Sequence, residues 1–298
     1  MLKSKAIDRI FMVSLIAFIF FIIATFILDD NNIDSVKTNN ICNSKVYTIN
    51  EDNYVVSTMV YVDENKSLEE KVYDLLSMMI KENNKNYLLP SYFSPILPNG
   101  TEINDVVLEN DILKIYFSHE LLDISDSQSS KMIESLIYTL TEFDDVLGIE
   151  IYVDNNMLRY IPNSVVSLPT ILTRDYGINK VYDLDSNMNI KKVYLTYYDE
   201  NDEIIVTKYL NDEREDIEII IEELSNYSYL NNVVSYMNND ILLESYTIND
   251  DSIDMVFNTK IDDKLLLGQL SNSIFLNYDK SIIRYINNGE VFYDINKN

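Results

Sequence analysis

The sequence contains few of the residues on which most enzyme chemistry depends. Its 298 residues include one Cys, one His, no Trp and five Gly. A single Cys cannot form an internal disulfide, so the protein does not belong to the small, disulfide-rich secreted class. Gly-rich phosphate loops, HExxH and paired CxxC motifs do not occur either. We therefore predict no catalytic residue, no metal site and no cofactor.

Basic residues are also scarce. The chain has 23 Lys and Arg against 49 Asp and Glu, a formal net charge of −26. A surface of that sign repels phosphate backbones and anionic lipid head groups, so we expect no nucleic acid among the partners. Apolar residues make up 47% and charged residues 24% of the chain, which is typical of a folded protein and not of a disordered one.

Residues 10–28 form a long apolar run without a charge. The run is about as long as the roughly 20-residue helix that crosses a bilayer, so it predicts a transmembrane helix. Basic residues precede the run and Asp residues follow it. This asymmetry predicts a cytoplasmic tail (1–9) and a chain that is extracytoplasmic beyond the membrane.

A cleaved signal peptide is the alternative for this run. Its apolar region would be shorter and would end in small residues, whereas this one ends Phe26-Ile27-Leu28. A lipoprotein would need its Cys directly after the apolar run, and Cys42 lies well beyond it. We therefore expect an uncleaved, single-pass anchor without a lipid.

Beyond the anchor the sequence predicts a linker, two similar modules and a connector between them. The linker (29–44) is rich in Asn, Asp, Ser and Thr without an apolar period, which is typical of a flexible stalk. The modules comprise residues 45–162 and 191–298, and the connector residues 163–190. Each module has the predicted order β-β-α-β-β-α-β with a further short strand at its end, which indicates an α+β fold.

The elements of the two modules follow from alternating and helical apolar patterns. The first helix of each follows a capping-box spacing, Ser67-x-x-Glu70 and Asp212-x-x-Glu215. The second helices are predicted at about 130–142 and 263–276. The predicted strands are 46–49, 54–62, 103–108, 113–117, 149–153 and 158–161 in the first module, and 193–198, 204–209, 242–248, 253–257, 282–286 and 291–294 in the second.

Two short patterns resemble functional sites but lack required parts. Ser118 and His119 end a predicted strand, where adjacent residues point to opposite faces, and the Gly-x-Ser-x-Gly elbow of a hydrolase is absent. Asp183-x-Asp185-x-Asn187 is similar to the start of a calcium loop, yet Met188 and Tyr194 replace the Gly and Glu that such a loop needs. We predict a surface His and an acidic linker.

Carboxylates and tyrosines leave two alternatives open. Acidic pairs such as Glu142 and Asp144 are expected by chance at this composition, so a cell-wall (peptidoglycan) hydrolase of the two-carboxylate type is one alternative. Tyrosines in the predicted strands, such as Tyr47 and Tyr197, are typical of packing on a sheet. A pocket lined by several of them would instead favour a receptor for a small ligand or a wall glycan.

Three motifs of the first module resemble the GerM (GerMN) domain family of sporulation and spore germination proteins. They are Leu97-Pro98-Asn99-Gly100-Thr101, Leu113-Lys114-Ile115-Tyr116-Phe117-Ser118, and Ile137-Tyr138-Thr139-Leu140-Thr141-Glu142-Phe143 followed by Val146 and residues 149–153. The second module shows only the same element order, with Phe257 near the equivalent strand end. It is similar to a diverged second copy.

The resemblance implies a non-enzymatic protein whose modules lie outside the cell membrane, in the intermembrane space of a sporulating cell. Members of the family look related to ring-building domains of secretion systems. The implied partners are therefore other envelope or sporulation-complex proteins, with association of several copies of the chain also open.

Structural roles, and not catalytic ones, are assigned to the motif residues. Pro98, Asn99 and Gly100 supply a tight turn, and residues 141–143 close a helix. The residues with a structural assignment are Leu97, Pro98, Gly100, Thr101, Tyr138, Thr139, Leu140, Thr141, Glu142 and Phe143. Asn155-Asn156 departs from the Gly expected after the strand at 149–153, which leaves the geometry of that turn open.

Overall fold

The computed structural model describes residues 41–199 and 202–297. The strands of the first module are β1 (Ile41–Asn50), β2 (Val55–Asp63), β3 (Phe93–Ser94), β4 (Ile103–Glu109), β5 (Ile112–Phe117), β6 (Gly148–Val153) and β7 (Asn156–Met157), and its helices are α1 (Leu68–Met79) and α2 (Asp126–Leu140). They form a three-stranded sheet in the order β2-β1-β3 and a four-stranded sheet in the order β4-β5-β6-β7.

The second module also has a three-stranded and a four-stranded sheet, although the third strand of its smaller sheet pairs in parallel with the second hairpin strand. Its strands are β8 (Val181–Asp183), β9 (Ile190–Tyr198), β10 (Glu203–Asn211), β11 (Leu243–Ile248), β12 (Ser252–Phe257), β13 (Ile282–Asn287) and β14 (Glu290–Asn296), and its helices are α3 (Asp216–Ser225) and α4 (Lys264–Asn277). The sheet orders are β8-β10-β9 and β11-β12-β13-β14. The α+β class predicted from the element order is confirmed.

The two four-stranded sheets share their register as well as their order. β5 and β6 are parallel and joined by α2, and β12 and β13 are parallel and joined by α4. The first strand pair begins with Ile103 opposite Phe117 in one module and with Leu243 opposite Phe257 in the other, and a β-bulge directly follows both pairs. Both Phe side chains are fully buried. The predicted tandem repeat is confirmed.

In the first module, the four-stranded sheet and the second helix both contribute fully buried side chains to the core. Alternation along β5 turns Leu113, Ile115 and Phe117 inward, where they have no exposed area. Each fully buried side chain of this size contributes about 1.5–3 kcal/mol. Leu136 and Leu140 of α2 are equally buried.

One capping box is present and the other is not. Ser67 Oγ accepts from the Glu70 N–H at 3.3 Å while the Glu70 carboxylate accepts from the Ser67 N–H at 2.9 Å. The matching prediction at Asp212 is wrong. Its carboxylate accepts from the N–H and guanidinium of Arg214, and α3 begins after Glu215 without a side-chain cap. A charged guanidinium two residues away is the stronger donor.

The bounds of α2 differ from the predicted 130–142. The helix begins after Ser125 because its Ser-rich first turn is packed: Ser129 is 1% exposed, and its Oγ donates to the Ser125 carbonyl at 2.9 Å. The helix ends at Leu140, and Thr141 is the C-cap. Burial here outweighs the low helix propensity of Ser.

The last strand of the first module starts earlier than the predicted 158–161. Asp154 and Asn155 both have a positive φ, 49° and 62°, so they form a tight two-residue turn, and β7 follows at once. The turn left open by the missing Gly is therefore made by residue types that tolerate this conformation. In the second module β14 exceeds the predicted 291–294 at both ends.

The connector is not a simple link between the modules. It contains a 3₁₀ turn (Arg174–Tyr176) and β8, which pairs in parallel with β10 through Val181 and Lys208. This strand was not predicted because it is short and lies in a polar run.

Among the described residues no helix is both long and apolar enough to span a membrane. The predicted transmembrane helix (10–28) and cytoplasmic tail (1–9) lie outside the described residues. β1 begins at Ile41, inside the segment predicted as linker.

Candidate functional site

The first family motif forms the turn that leads into β4. The Pro98 carbonyl accepts from the N–H and the hydroxyl of Thr101, at 3.3 and 2.9 Å. Gly100 has a φ of 81°, which costs residues with a Cβ about 1–2 kcal/mol. Leu97 is fully buried, and its N–H donates to the Met79 carbonyl at 2.8 Å. The motif thus ties the end of α1 to the four-stranded sheet.

The third motif joins α2 to the three-stranded sheet. Thr139 is fully buried in α2, and its Oγ1 accepts from the N–H of Tyr47 in β1 at 2.8 Å. The second module repeats this contact, since Ser273 Oγ in α4 accepts from the N–H of Thr196 in β9 at 2.9 Å. In both modules a hydroxyl on the second helix therefore satisfies a backbone N–H of the three-stranded sheet, which explains the motif's Thr.

The end of the same motif binds Arg174 of the connector. The Arg174 guanidinium forms an ion pair with Glu142, donates from Nε to Thr141 Oγ1 at 3.0 Å, and lies over the Tyr138 ring at 5.0 Å. Tyr47 donates its hydroxyl to Glu142 at 3.1 Å. The helix end that the motif closes is therefore also the attachment point of the connector.

The charges of this pair stabilise each other. Burial raises the pKa of the Glu142 carboxyl, but the hydrogen bond and the charge of Arg174 outweigh it, and the pKa lies below its usual value. Burial lowers the pKa of Arg174, and the bond to Glu142 reverses that effect. Both groups are ionised at neutral pH, so the motif Glu serves as a fixed charge and not as a general acid.

Asn179 of the connector bridges the two modules. Its side chain accepts from the Val55 N–H at 2.8 Å and donates to the carbonyls of Val55 and Ile205, at 2.8 and 2.9 Å. Val55 is in β2 of the first module and Ile205 in β10 of the second. The φ of 46° at Asn179 is one that Asn tolerates well. One buried amide thus holds a strand of each module.

A buried ion pair lies beside this bridge. Glu134 in α2 is 2% exposed and accepts from the Asn179 N–H at 2.9 Å, and Lys180 Nζ lies 3.4 Å from its carboxylate. Lys180 Nζ also lies 3.4 Å from the centre of the Tyr176 ring. Burial raises the pKa of Glu134 and lowers that of Lys180. We call the residues Tyr138, Glu142, Arg174, Asn179, Glu134 and Lys180 the junction cluster.

Two cavities have charged walls, and one of them includes residues of the junction cluster. One of about 490 Å³ has Lys45, Glu142 and Arg174 on its walls, where Lys45 lies 3.6 Å from Glu142. The other, of about 410 Å³, is acidic and includes Asp199 and Asp202. Burial and the neighbouring Asp199 raise the pKa of Asp202 to about 6. No group of ligand residues in the described part of the chain could hold a metal ion.

The other sequence candidates lie elsewhere. His119 is exposed, and its Nδ1 lies 3.1 Å from Asp154, while Ser118 Oγ accepts from the Glu102 N–H at 2.9 Å. The two side chains have separate partners and make no triad with each other. Asp183 pairs with Lys208 at 3.0 Å. Cys42 lies at the start of β1.

Sequence reasoning did not find most of the junction cluster. Glu134, Arg174, Asn179 and Lys180 belong to no motif, and three of them lie in a run that has the composition of a loop. The single available signal was the family motif at residues 138–142, which identified one wall of the cluster without its partner.

Three comparisons with known proteins agree with the fold and the motifs. The family model "Germane: Sporulation and spore germination" matches residues 45–159. Spore germination protein GerM of Bacillus subtilis (strain 168) is 24% identical over 246 residues, which cover 78% of this chain and 66% of that protein's length. The structure of the tandem GerMN domains of the sporulation protein GerM from Bacillus subtilis matches with a TM-score of 0.75 and 22% identity, over 84% of this chain and 92% of that one.

The structural match shows that the tandem arrangement of two modules is shared. The family model covers the first module, in which the three motifs lie, and the four-stranded sheet of the second module repeats the register of the first. The resemblance to the GerM (GerMN) domain family is therefore confirmed, and this chain is similar to GerM in carrying two GerMN-like modules in tandem.

Proposed function

We propose that the protein is a membrane-anchored, extracytoplasmic and non-enzymatic component of an envelope assembly in sporulation or germination, and that it acts by protein–protein contacts. The names of its relatives supply the process, because both are described as spore germination or sporulation proteins. The anchor is inferred from the uncharged run at 10–28, and its orientation from the basic residues before that run.

The main support for the contact role is that the polar side chains of the motif are engaged in contacts within the protein. Glu142, the acid of the longest motif, is committed to an ion pair with Arg174 and to the Tyr47 hydroxyl. Thr139 and Thr141 are likewise used in internal hydrogen bonds. Side chains engaged in this way hold two modules and a connector together, and a rigid pair of modules suits a structural part of a larger assembly.

The location is tested with protease added to intact protoplasts that make the full chain. The expected result is digestion of both modules while a cytoplasmic marker stays intact, with the short N-terminal tail left in the membrane fraction after alkaline extraction. Modules that are digested only after lysis would contradict the topology. Release of a shortened soluble form during growth would show a cleaved signal peptide instead of an anchor.

The contact role is tested by purifying the chain from cells that are entering sporulation, after brief cross-linking. We expect other envelope proteins to co-purify in defined proportion, and the same sample to leave peptidoglycan intact in a zymogram. Clearing of peptidoglycan by the purified chain, lost on replacement of a single carboxylate, would support the hydrolase alternative and contradict this proposal.

A further inference from the structure

An apolar groove of about 850 Å³ lies on the first module, lined by none of the junction cluster. Its walls are the 3₁₀ turn His119–Leu122, the turn between β6 and β7, and residues 158–165. Leu122, Val153, Met157, Leu158 and Ile161 supply apolar surface. Its volume is in the range of sites that take small ligands or short peptide segments. We call it the Arg159 groove.

The outer wall of the Arg159 groove is held in place by its own hydrogen bonds. The chain folds back on itself, so that the Leu168 N–H donates to the Arg159 carbonyl at 2.8 Å and the Ile161 N–H donates to the Val166 carbonyl at 3.0 Å. At the tip, Asn163 Nδ2 donates to the Ile124 carbonyl at 2.6 Å. A wall formed in advance loses little conformational freedom when an occupant binds.

Large apolar side chains stand in solvent along this wall. Val165 is 94% exposed and Tyr160 57% exposed, and both line the groove. Burial of apolar surface contributes about 25 cal/mol per Å², so contact with an apolar partner here is favourable. Contiguous exposed apolar side chains around a groove mark binding surfaces.

Arg159 gives the groove a positive charge in a molecule whose net charge is negative. It is exposed and lines the groove, and it is the single arginine among the described residues without an ion pair, since Arg174, Arg214 and Arg284 each pair with a carboxylate. The nearby Asp154 lies 3.1 Å from His119 instead. In a chain with twice as many acids as bases, an unpaired arginine beside an apolar groove presents a site for an external carboxylate.

We infer that the Arg159 groove binds a short apolar peptide segment of a partner protein, and that a carboxylate of this segment pairs with Arg159. The inference rests on the proposed function, because it names the surface through which the protein contacts a partner. Apolar residues of the segment cover Val165 and Tyr160 and enter the groove. The carboxylate of the segment accepts two hydrogen bonds from the Arg159 guanidinium.

Charge favours a peptide over a membrane or a second copy as the occupant. Interactions between exposed charges are screened beyond about 8 Å at physiological ionic strength, so a single carboxylate responds to Arg159 and not to the net charge of −26. An anionic bilayer or another copy of this chain would bring many negative charges to the same surface at once, and the repulsion would oppose docking.

The test is a selection from a phage library of random 12-residue peptides against the full chain in non-ionic detergent. Recovered peptides are then synthesised, and their affinities are measured for the native chain and for two charge-matched variants. Arg159→Glu changes the groove. Lys264→Glu makes the same change of charge at an exposed position at the start of α4, which does not line the groove.

We expect enriched peptides to combine apolar residues with an Asp, a Glu or a free carboxyl terminus, and Arg159→Glu to weaken their binding about tenfold or more while Lys264→Glu leaves it unchanged. A Val165→Asp variant should also lose the peptides. No enrichment, or enriched peptides that ignore Arg159→Glu, would overturn the inference.

Two further measurements identify a different occupant. Arg159-dependent binding to vesicles of phosphatidylglycerol would assign the groove to the membrane, and an Arg159-dependent dimer would assign it to a second copy. Either result overturns the peptide inference. The protease test on protoplasts does not depend on the groove, so a failed selection leaves the proposed location standing and the two failures remain distinct.

Discussion

Tyr138 and Tyr194 donate their hydroxyls to the same acceptor, the carbonyl oxygen of Arg174, at 3.3 and 3.2 Å. Tyr138 belongs to α2 of the first module and Tyr194 to β9 of the second, so one carbonyl of the connector receives a donor from each module. The same oxygen also accepts from the Gly177 N–H of the 3₁₀ turn at 3.0 Å, so three donors share its two lone pairs. Together with the bridge made by Asn179, this contact joins the two modules at the connector.

Because the two hydroxyls share an acceptor, we predict that the effects of replacing the two tyrosines on the free energy of unfolding are not additive. Tyr138→Phe or Tyr194→Phe alone leaves the Arg174 carbonyl with two donors, the other hydroxyl and the Gly177 N–H, and each should lower the free energy of unfolding by about 0.5–1 kcal/mol. The double variant leaves the Gly177 N–H as the remaining donor and one lone pair unused, and should lose more than the sum of the single changes. Urea unfolding of the four proteins in detergent measures the interaction energy. Strict additivity would show that the carbonyl is not shared.

The buried ion pair predicts a pH-dependent loss of stability. Lys180→Met leaves the Glu134 carboxylate buried without its cation, and should cost about 3 kcal/mol at pH 8. The pKa of Glu134 is already raised by burial and rises further without Lys180, so the folded state binds more protons than the unfolded state above the unfolded pKa of about 4.3. Stability therefore falls as pH rises, and the loss should be smaller at pH 5 than at pH 8.

The control for this prediction is Glu134→Gln combined with Lys180→Met. The amide oxygen can still accept from the Asn179 N–H, and no charge is left in the core. The double variant should be more stable than Lys180→Met at pH 8 and should lose the pH dependence between pH 5 and 8. A single Lys180→Met variant with equal stability at both pH values would show that Glu134 is solvated.

The bridge at Asn179 predicts different effects for two small replacements. Asn179→Ala removes three hydrogen bonds, leaves the buried Val55 N–H without an acceptor and puts a residue that tolerates a positive φ less well than Asn at a φ of 46°. We expect a loss of about 3 kcal/mol. Asn179→Gly removes the same bonds without the backbone strain, and should be about 1 kcal/mol more stable than the Ala variant. Equal losses would show that the strain is relieved by movement of the connector.

Local patterns determined which parts of the fold could be predicted. The hairpins of both modules and the capping box at Ser67 depend on residues close in sequence, and they agree with the structure. The box at Asp212 failed because Arg214, also local, competes for the same carboxylate. Spacing alone does not reveal such competition.

The junction cluster depends on contacts between residues far apart in the chain. Glu134 meets the backbone of a residue 45 positions later, and Asn179 meets a residue 124 positions earlier. Such pairs follow from how the modules pack, and packing has no local period. The family motif at Tyr138 to Glu142 could be predicted as structural, whereas its partner Arg174 could not.

The central claim, that the protein acts by contact and not by catalysis, is tested most directly by sporulation and envelope assembly in cells that carry only a variant chain. Ser118→Ala and Cys42→Ala should leave both nearly intact, because neither residue is assigned to chemistry and Ser118 does not line the Arg159 groove. Leu140→Asp should abolish both, since it places a charge in a fully buried position of α2, at a cost of several kcal/mol. A Ser118→Ala protein that is folded, membrane-attached and correctly assembled but inactive would contradict the claim.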